Sequence, residues 1–107
     1  MKRIVWITFD LGVRGDYEGL YEWLDGRRAK ECGDSAAVLQ YDVKSDLVAE
    51  LKRELKKAVN LTKRSRIYVI YTDESSRIKG SFLFGKRKQA PWTGYGSVEE
   101  EETVDEL

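Results

Sequence analysis

Ile4-Val5-Trp6-Ile7-Thr8-Phe9-Asp10 is the stretch on which the fold turns. In a strand, alternate side chains point to opposite faces, so Val5, Ile7 and Phe9 form one set and Ile4, Trp6, Thr8 and Asp10 the other. Both sets are apolar up to Asp10, which predicts a strand buried on at least one side. Its last residue is then held rigidly where the strand leaves the sheet. A carboxylate in that position can bind a metal or activate water, or it can cap the turn through the glycine-bearing loop Leu11 to Asp16 that follows.

Working outward, Asp16 can cap a helix whose apolar positions Tyr17, Leu20, Tyr21 and Leu24 recur at helical spacing and face a core. Gly26 is its stop signal. Two short extended segments come next, Arg28 to Cys32 and Ser35 to Tyr41, joined at Gly33-Asp34 as a tight hairpin turn. The second segment is not strongly polar on either alternate set and belongs inside the sheet. Ser45 or Asp46 caps a second helix, with Leu47, Val48, Leu51, Leu55, Ala58 and Val59 on one face and Lys52, Arg53, Glu54, Lys56 and Lys57 on the other. Arg66 to Thr72 is rich in β-branched and aromatic residues and reads as a strand. A turn over 73–76 leads to a fifth strand, Ile78 to Phe84.

The order strand, helix, strand, strand, helix, strand, obeying the right-handed crossover rule, predicts an α+β ferredoxin-like βαββαβ sandwich: an antiparallel sheet, both helices on one face, and one additional C-terminal strand. The domain spans 1–85, a basic and aromatic arm 86–96, and an acidic tail 97–107. The second sheet face has no helices, so Ile4, Trp6, Thr8 and Asp10 look outward beside Tyr68 and Ile70. A face this apolar calls for a cover, either a second copy packed sheet to sheet or a nucleic acid stacked on the aromatics.

Composition narrows the chemistry. The chain is 41% apolar and 36% charged, and no stretch approaches the ~20 apolar residues of a membrane span, so a soluble cytoplasmic protein with no membrane partner is expected. It has no histidine and one cysteine, which excludes Ser-His and Cys-His nucleophiles, the common zinc sites and an internal disulfide. Its net charge of zero conceals an asymmetry. Residues 1–96 hold all 19 basic residues, whereas 97–107 hold six of the 19 acids (Glu99, Glu100, Glu101, Glu102, Asp105, Glu106), a split into +6 and −6. A block of like charge with few apolar residues predicts a disordered tail on a basic body.

Two groups of residues carry chemistry. Asp10 is the candidate catalytic and metal-binding acid; two copies meeting across a two-fold axis would share a divalent ion such as Mg²⁺ or Mn²⁺ and activate water for phosphodiester cleavage. The segment from Phe82 to Gly96 mixes Lys86, Arg87 and Lys88 with Trp92 and Tyr95. Cations neutralise phosphates and rings stack on bases, so this segment is a candidate contact for single-stranded nucleic acid; the alternative is an arm whose Trp92 and Tyr95 pack on the body or on a partner subunit. Arg14, the Lys52-Arg53-Lys56-Lys57 face and Lys63-Arg64 either extend the basic surface or are solvated charges.

The apolar first strand ending in Asp10, the hairpin from Arg28 to Tyr41, the run from Asp46 to Lys57 and the strand from Arg66 to Tyr71 together resemble the small CRISPR-associated Cas-two proteins and the related virulence-associated protein D toxins. The resemblance is one of layout, over roughly residues 2–84. It implies a homodimer of ferredoxin-like subunits whose first-strand aspartates face each other around a divalent metal, some members being nucleases on DNA or RNA and others scaffolds. Carried over, Asp10 is the metal-binding acid and Arg14 a nearby basic residue. Three functions therefore stay open: a metal-dependent endonuclease, a non-catalytic nucleic-acid-binding module, and a protein-interaction scaffold dimerising through its open sheet face.

Overall fold

The structure, a computed structural model, describes residues 1–96. The acidic segment 97–107, expected to be disordered, lies outside them. Five strands form one antiparallel sheet: β1 (Lys2–Asp10), β2 (Lys30–Gly33), β3 (Ala36–Asp42), β4 (Arg66–Thr72) and β5 (Ile78–Phe84), in spatial order β2-β3-β1-β4-β5. The helices α1 (Tyr17–Gly26) and α2 (Leu47–Ala58) cover one face. This is the ferredoxin-like α+β arrangement with an extra strand, β5, added beside β4. No helix among the described residues is long and apolar enough to cross a membrane.

The alternation of β1 sets the layering. Val5, Ile7 and Phe9 are buried against Leu20 and Leu24 of α1 and Leu51 and Leu55 of α2, while Ile4, Trp6, Thr8 and Asp10 are exposed on the other face. Because β1 is apolar on both sets it takes the centre, pairing with β3 through Val5↔Leu39 and Ile7↔Ala37 and with β4 through Ile7↔Val69 and Phe9↔Ile67.

Carboxylates fix the ends of both helices. Asp16 caps α1 by accepting from the Gly19 amide at 2.9 Å, and its second oxygen accepts from the Asn60 amide at 2.8 Å, tying the start of α1 to the exit of α2. Asp46, not Ser45, caps α2. Buried Glu50 accepts from three successive backbone amides, Lys44 at 3.0 Å, Ser45 at 2.8 Å and Asp46 at 2.7 Å, which closes the loop entering α2.

Two local expectations change. The hairpin turn falls on Asp34 and Ser35, one residue later than expected, because β2 runs on through Gly33. Glu54 is not on the solvated face of α2. It is half-buried between elements, where its carboxylate accepts from the Trp23 indole at 3.1 Å, from the Arg27 guanidinium and from the Tyr41 hydroxyl. Burial pushes the Tyr41 phenol up, and the bond to Glu54 adds to the effect. Burial alone would raise the Glu54 carboxyl as well, but the bonds from Tyr41, Trp23 and Arg27 outweigh it and hold it below the usual range.

These bonds make folding acid-sensitive in a defined direction. The Asn60 and Gly19 amides hold the Asp16 carboxyl below its ordinary value, and those of Lys44 and Ser45 do the same for Glu50. A carboxylate whose pKa is depressed on folding stabilises the protein above its unfolded value and loses that contribution as pH falls through the folded one. Stability measured by urea unfolding should therefore be flat from pH 7 to about 5 and fall below about 4.5, the ordinary glutamate value. Glu50→Gln should be less stable at pH 7 and show a shallower fall; an unchanged profile would remove Glu50 from this role.

Candidate nucleic-acid interface

The uncovered sheet face is built by register. Trp6, Thr8 and Asp10 of β1 stand beside Ile70, Tyr68 and Arg66 of β4, and β5 places Gly80 and Phe82 opposite Ile70 and Tyr68. Trp6 is 45% and Ile4 46% exposed, so the face is apolar and open. Toward β5 it is aromatic: the Tyr68 and Phe82 rings meet edge to face with centroids 4.8 Å apart. The Tyr68 phenol lies low across β5 because position 80 is glycine, where a Cβ would come within 2.0 Å of the hydroxyl oxygen.

A second glycine turns the chain back onto this face. Gly85, just past β5, has φ +79°, and a Cβ there would stand 2.7 Å from the Ser65 carbonyl oxygen. Beyond it the arm returns over the sheet, with the Arg87 guanidinium 5.5 Å from the Phe82 ring centroid and 5.9 Å from that of Tyr68, a cation–π arrangement. A turn follows, in which the Thr93 amide donates to the Ala90 carbonyl at 3.1 Å and that of Tyr95 to the Trp92 carbonyl at 3.0 Å. Trp92 thereby becomes one wall of a cleft of about 510 Å³ whose floor includes Thr8, Tyr68 and Phe82. Much of its indole still meets solvent.

Beside this cleft lies a second depression, of about 530 Å³, lined by Lys63, Arg64, Arg66, Lys86 and Lys88 together with Asp10. Asp10 and Arg66, cross-strand partners, line both spaces. The cations arrive from three places. Lys63 and Arg64 sit in the loop leaving α2, which is held where the Ser65 hydroxyl accepts from the Thr62 amide at 2.8 Å and the Thr62 hydroxyl from the Arg64 amide at 3.2 Å. Arg66 opens β4, and Lys86 and Lys88 follow Gly85. Among the described residues, ion pairs join the Met1 amino group to Asp42, Arg27 to Glu54 and Lys79 to Asp73, and none involves these five cations. Five cations converging on a single carboxylate, Asp10, leave an excess of positive charge suited to an anion.

The candidates named from sequence divide accordingly. Asp10, Lys86, Arg87, Lys88 and Trp92 are brought together around the two adjoining spaces. Arg14 is exposed on the loop after β1, in a hollow that also includes Lys63 and Arg64, and so borders the same surface. Lys52, Arg53, Lys56 and Lys57 are exposed on α2, on the helical side of the sheet, and are not part of it. Arg66 joins Asp10, Lys86 and Lys88, although residue composition marks it only as the first residue of a strand. Its place in the outward set with Tyr68 and Ile70 was the available signal.

Asp10 accepts the Gly12 amide at 3.0 Å on one oxygen, a turn-capping bond. No group of three or more histidine, cysteine, aspartate or glutamate side chains among the described residues could hold a metal ion. A single carboxylate, partly committed to the backbone and sharing its depression with five cations, does not by itself fit a divalent cation; an ion there would need a second copy's carboxylate. Compared with protein-family models, curated proteins and solved structures, the chain matches none.

Proposed function

We propose that this chain binds single-stranded nucleic acid in the cleft between its open sheet face and the arm. Phosphates meet Lys63, Arg64, Arg66, Lys86 and Lys88, and bases stack on Tyr68, Phe82 and Trp92. One observation carries this reading: the stacking surface and the cation surface share a wall, Asp10 and Arg66, so a base and its own phosphate can be engaged together. Rings alone would suit many apolar partners and cations alone many anions; a single strand presents both. Trp92→Ala should weaken binding of a short single-stranded oligonucleotide about 10-fold, the order of one lost base–aromatic stack, with the salt dependence unchanged. Fluorescence anisotropy over a salt series checks this, and an unchanged affinity would take Trp92 out of the interface.

The resemblance to the Cas-two and virulence-associated protein D group supports a second reading, a metal-dependent endonuclease in which Asp10 of two copies shares Mg²⁺ or Mn²⁺. The observation in its favour is that Asp10 ends β1 on the exposed apolar face, where Ile4 and Trp6 offer a surface for a second copy. It predicts cleavage with added Mg²⁺ or Mn²⁺ that Asp10→Ala abolishes. The binding reading predicts an intact oligonucleotide and, for Asp10→Ala, somewhat tighter binding, because a negative charge has left a phosphate site. A dimer that packs the open faces together and binds no strand would instead support a protein-interaction scaffold.

A further inference from the structure

The five cations around Asp10 have a candidate partner within the same chain. We propose that the acidic segment 99–106 occupies the depression lined by Lys63, Arg64, Arg66, Lys86 and Lys88, and that it competes there with a nucleic-acid strand, the second clause resting on the function proposed above.

Charge is the first ground. The depression gathers five cations against one carboxylate, and no ion pair among the described residues relieves them. The segment 97–107 carries six acids and no basic residue, four of the acids being consecutive, Glu99 to Glu102. The opposed charges, +6 on 1–96 and −6 on 97–107, balance. Connectivity is the second ground. The arm that walls the cleft at Trp92 is followed only seven residues later in sequence by Glu99. From Gly96, the last described residue, Glu99 to Glu102 lie three to six residues on, a reach of at most about 10–20 Å in extended chain. A segment tethered at such range has an effective concentration of about millimolar order, so even a weak ionic contact is populated. Two other groups of cations are less suited. Arg27 is already paired with Glu54, and the α2 cations lie on the far side of the sheet.

Such a segment would act as an internal anion that a strand must displace. Occupancy would fall with salt, and weakly held phosphates would be rejected before tightly stacked strands.

The test uses the full chain with Glu99, Glu100, Glu101 and Glu102 replaced by glutamine (E99Q/E100Q/E101Q/E102Q), beside the unaltered protein. Without nucleic acid, backbone amide shifts at low salt should differ between the two proteins at Lys63, Arg64, Arg66, Lys86 and Lys88, and the differences should vanish by about 0.5 M salt, where the Debye length is a few ångströms. A fluorescent single-stranded oligonucleotide should bind the variant about 10-fold more tightly at low salt, with the gap closing as salt rises. Identical amide shifts at those five residues, or differences confined to Lys52, Arg53, Lys56 and Lys57, would overturn the docking. Shift differences at the five cations with no strand bound by either protein would sustain the docking and end the nucleic-acid reading. Equal strand affinities for both proteins would end the competition while leaving that reading intact.

Discussion

Reversing Lys63, Arg64, Lys86 and Lys88 to glutamate should lower affinity for a single-stranded oligonucleotide by at least about 100-fold at low salt, because the backbone supplies most of the affinity and each neutralised phosphate adds its own released counter-ions. All four side chains are exposed, and none takes part in an ion pair among the described residues. The fold should therefore be almost indifferent to their loss, each surface change falling within about 0.5 kcal/mol. The unaltered protein, using four or five of the cations, should show a slope of log affinity against log salt of about −3, at roughly 0.7 per contact on a single strand. Removing one lysine should make the slope shallower by one such step, whereas removing a ring should leave it unchanged. A quadruple variant that still binds within a few-fold would mean that the cations converge for some other reason.

The largest effect on stability is expected from the opposite side of the sheet. Leu55 of α2 is fully buried, in the cluster that includes Ile7, Leu51 and Ile67. Leu55→Ala removes its transfer energy and leaves a cavity beneath β1, at a cost of about 3 kcal/mol. For a domain of this size that lowers the thermal midpoint by roughly 15 °C. Trp6→Ala, on the exposed face of the same central strand, should cost far less in the isolated protein, since 45% of the residue already meets water. Thermal or urea unfolding of the two variants tests the layering of the fold. Equal losses would mean that the open face is itself covered in solution, the outcome expected of a sheet-to-sheet dimer.

The same split between buried and exposed faces explains what the sequence made legible. The strand and helix order followed from periodicity, and the central place of β1 from its being apolar on both alternate sets. The position of β3 inside the sheet was readable for the same reason, in a segment with no strongly polar set. Turn placement was less so. Gly33 carries φ +142°, a conformation that glycine tolerates, and so it extends β2 by a residue instead of opening the turn. Glu54 escaped because a charged residue on the flank of a helix reads as solvated until Trp23, Arg27 and Tyr41 are brought to it from two other elements.

The site divides along similar lines. Lys86 to Lys88 and Trp92 are contiguous in sequence and announced a basic, aromatic arm. That the arm folds back over Tyr68 and Phe82 depends on the close approaches permitted at Gly80 and Gly85, which only the packing reveals. The union of Lys63 and Arg64 with Lys86 and Lys88 is a long-range consequence of β4 pairing with β5. Asp10 was visible from the start as an acid ending an apolar strand. Its cationic surroundings were not, and they leave a metal there dependent on a second copy's carboxylate.

The most direct measurement is a titration of the isotopically labelled protein with a short single-stranded oligonucleotide, followed residue by residue through backbone amide shifts. Binding in the proposed cleft predicts salt-sensitive perturbations centred on Thr8, Arg66, Tyr68, Phe82, Arg87 and Trp92, together with the neighbouring lysines. No perturbation at low salt, or perturbations centred on Lys2, Arg28 and Lys30 at the far edge of the sheet, would contradict it.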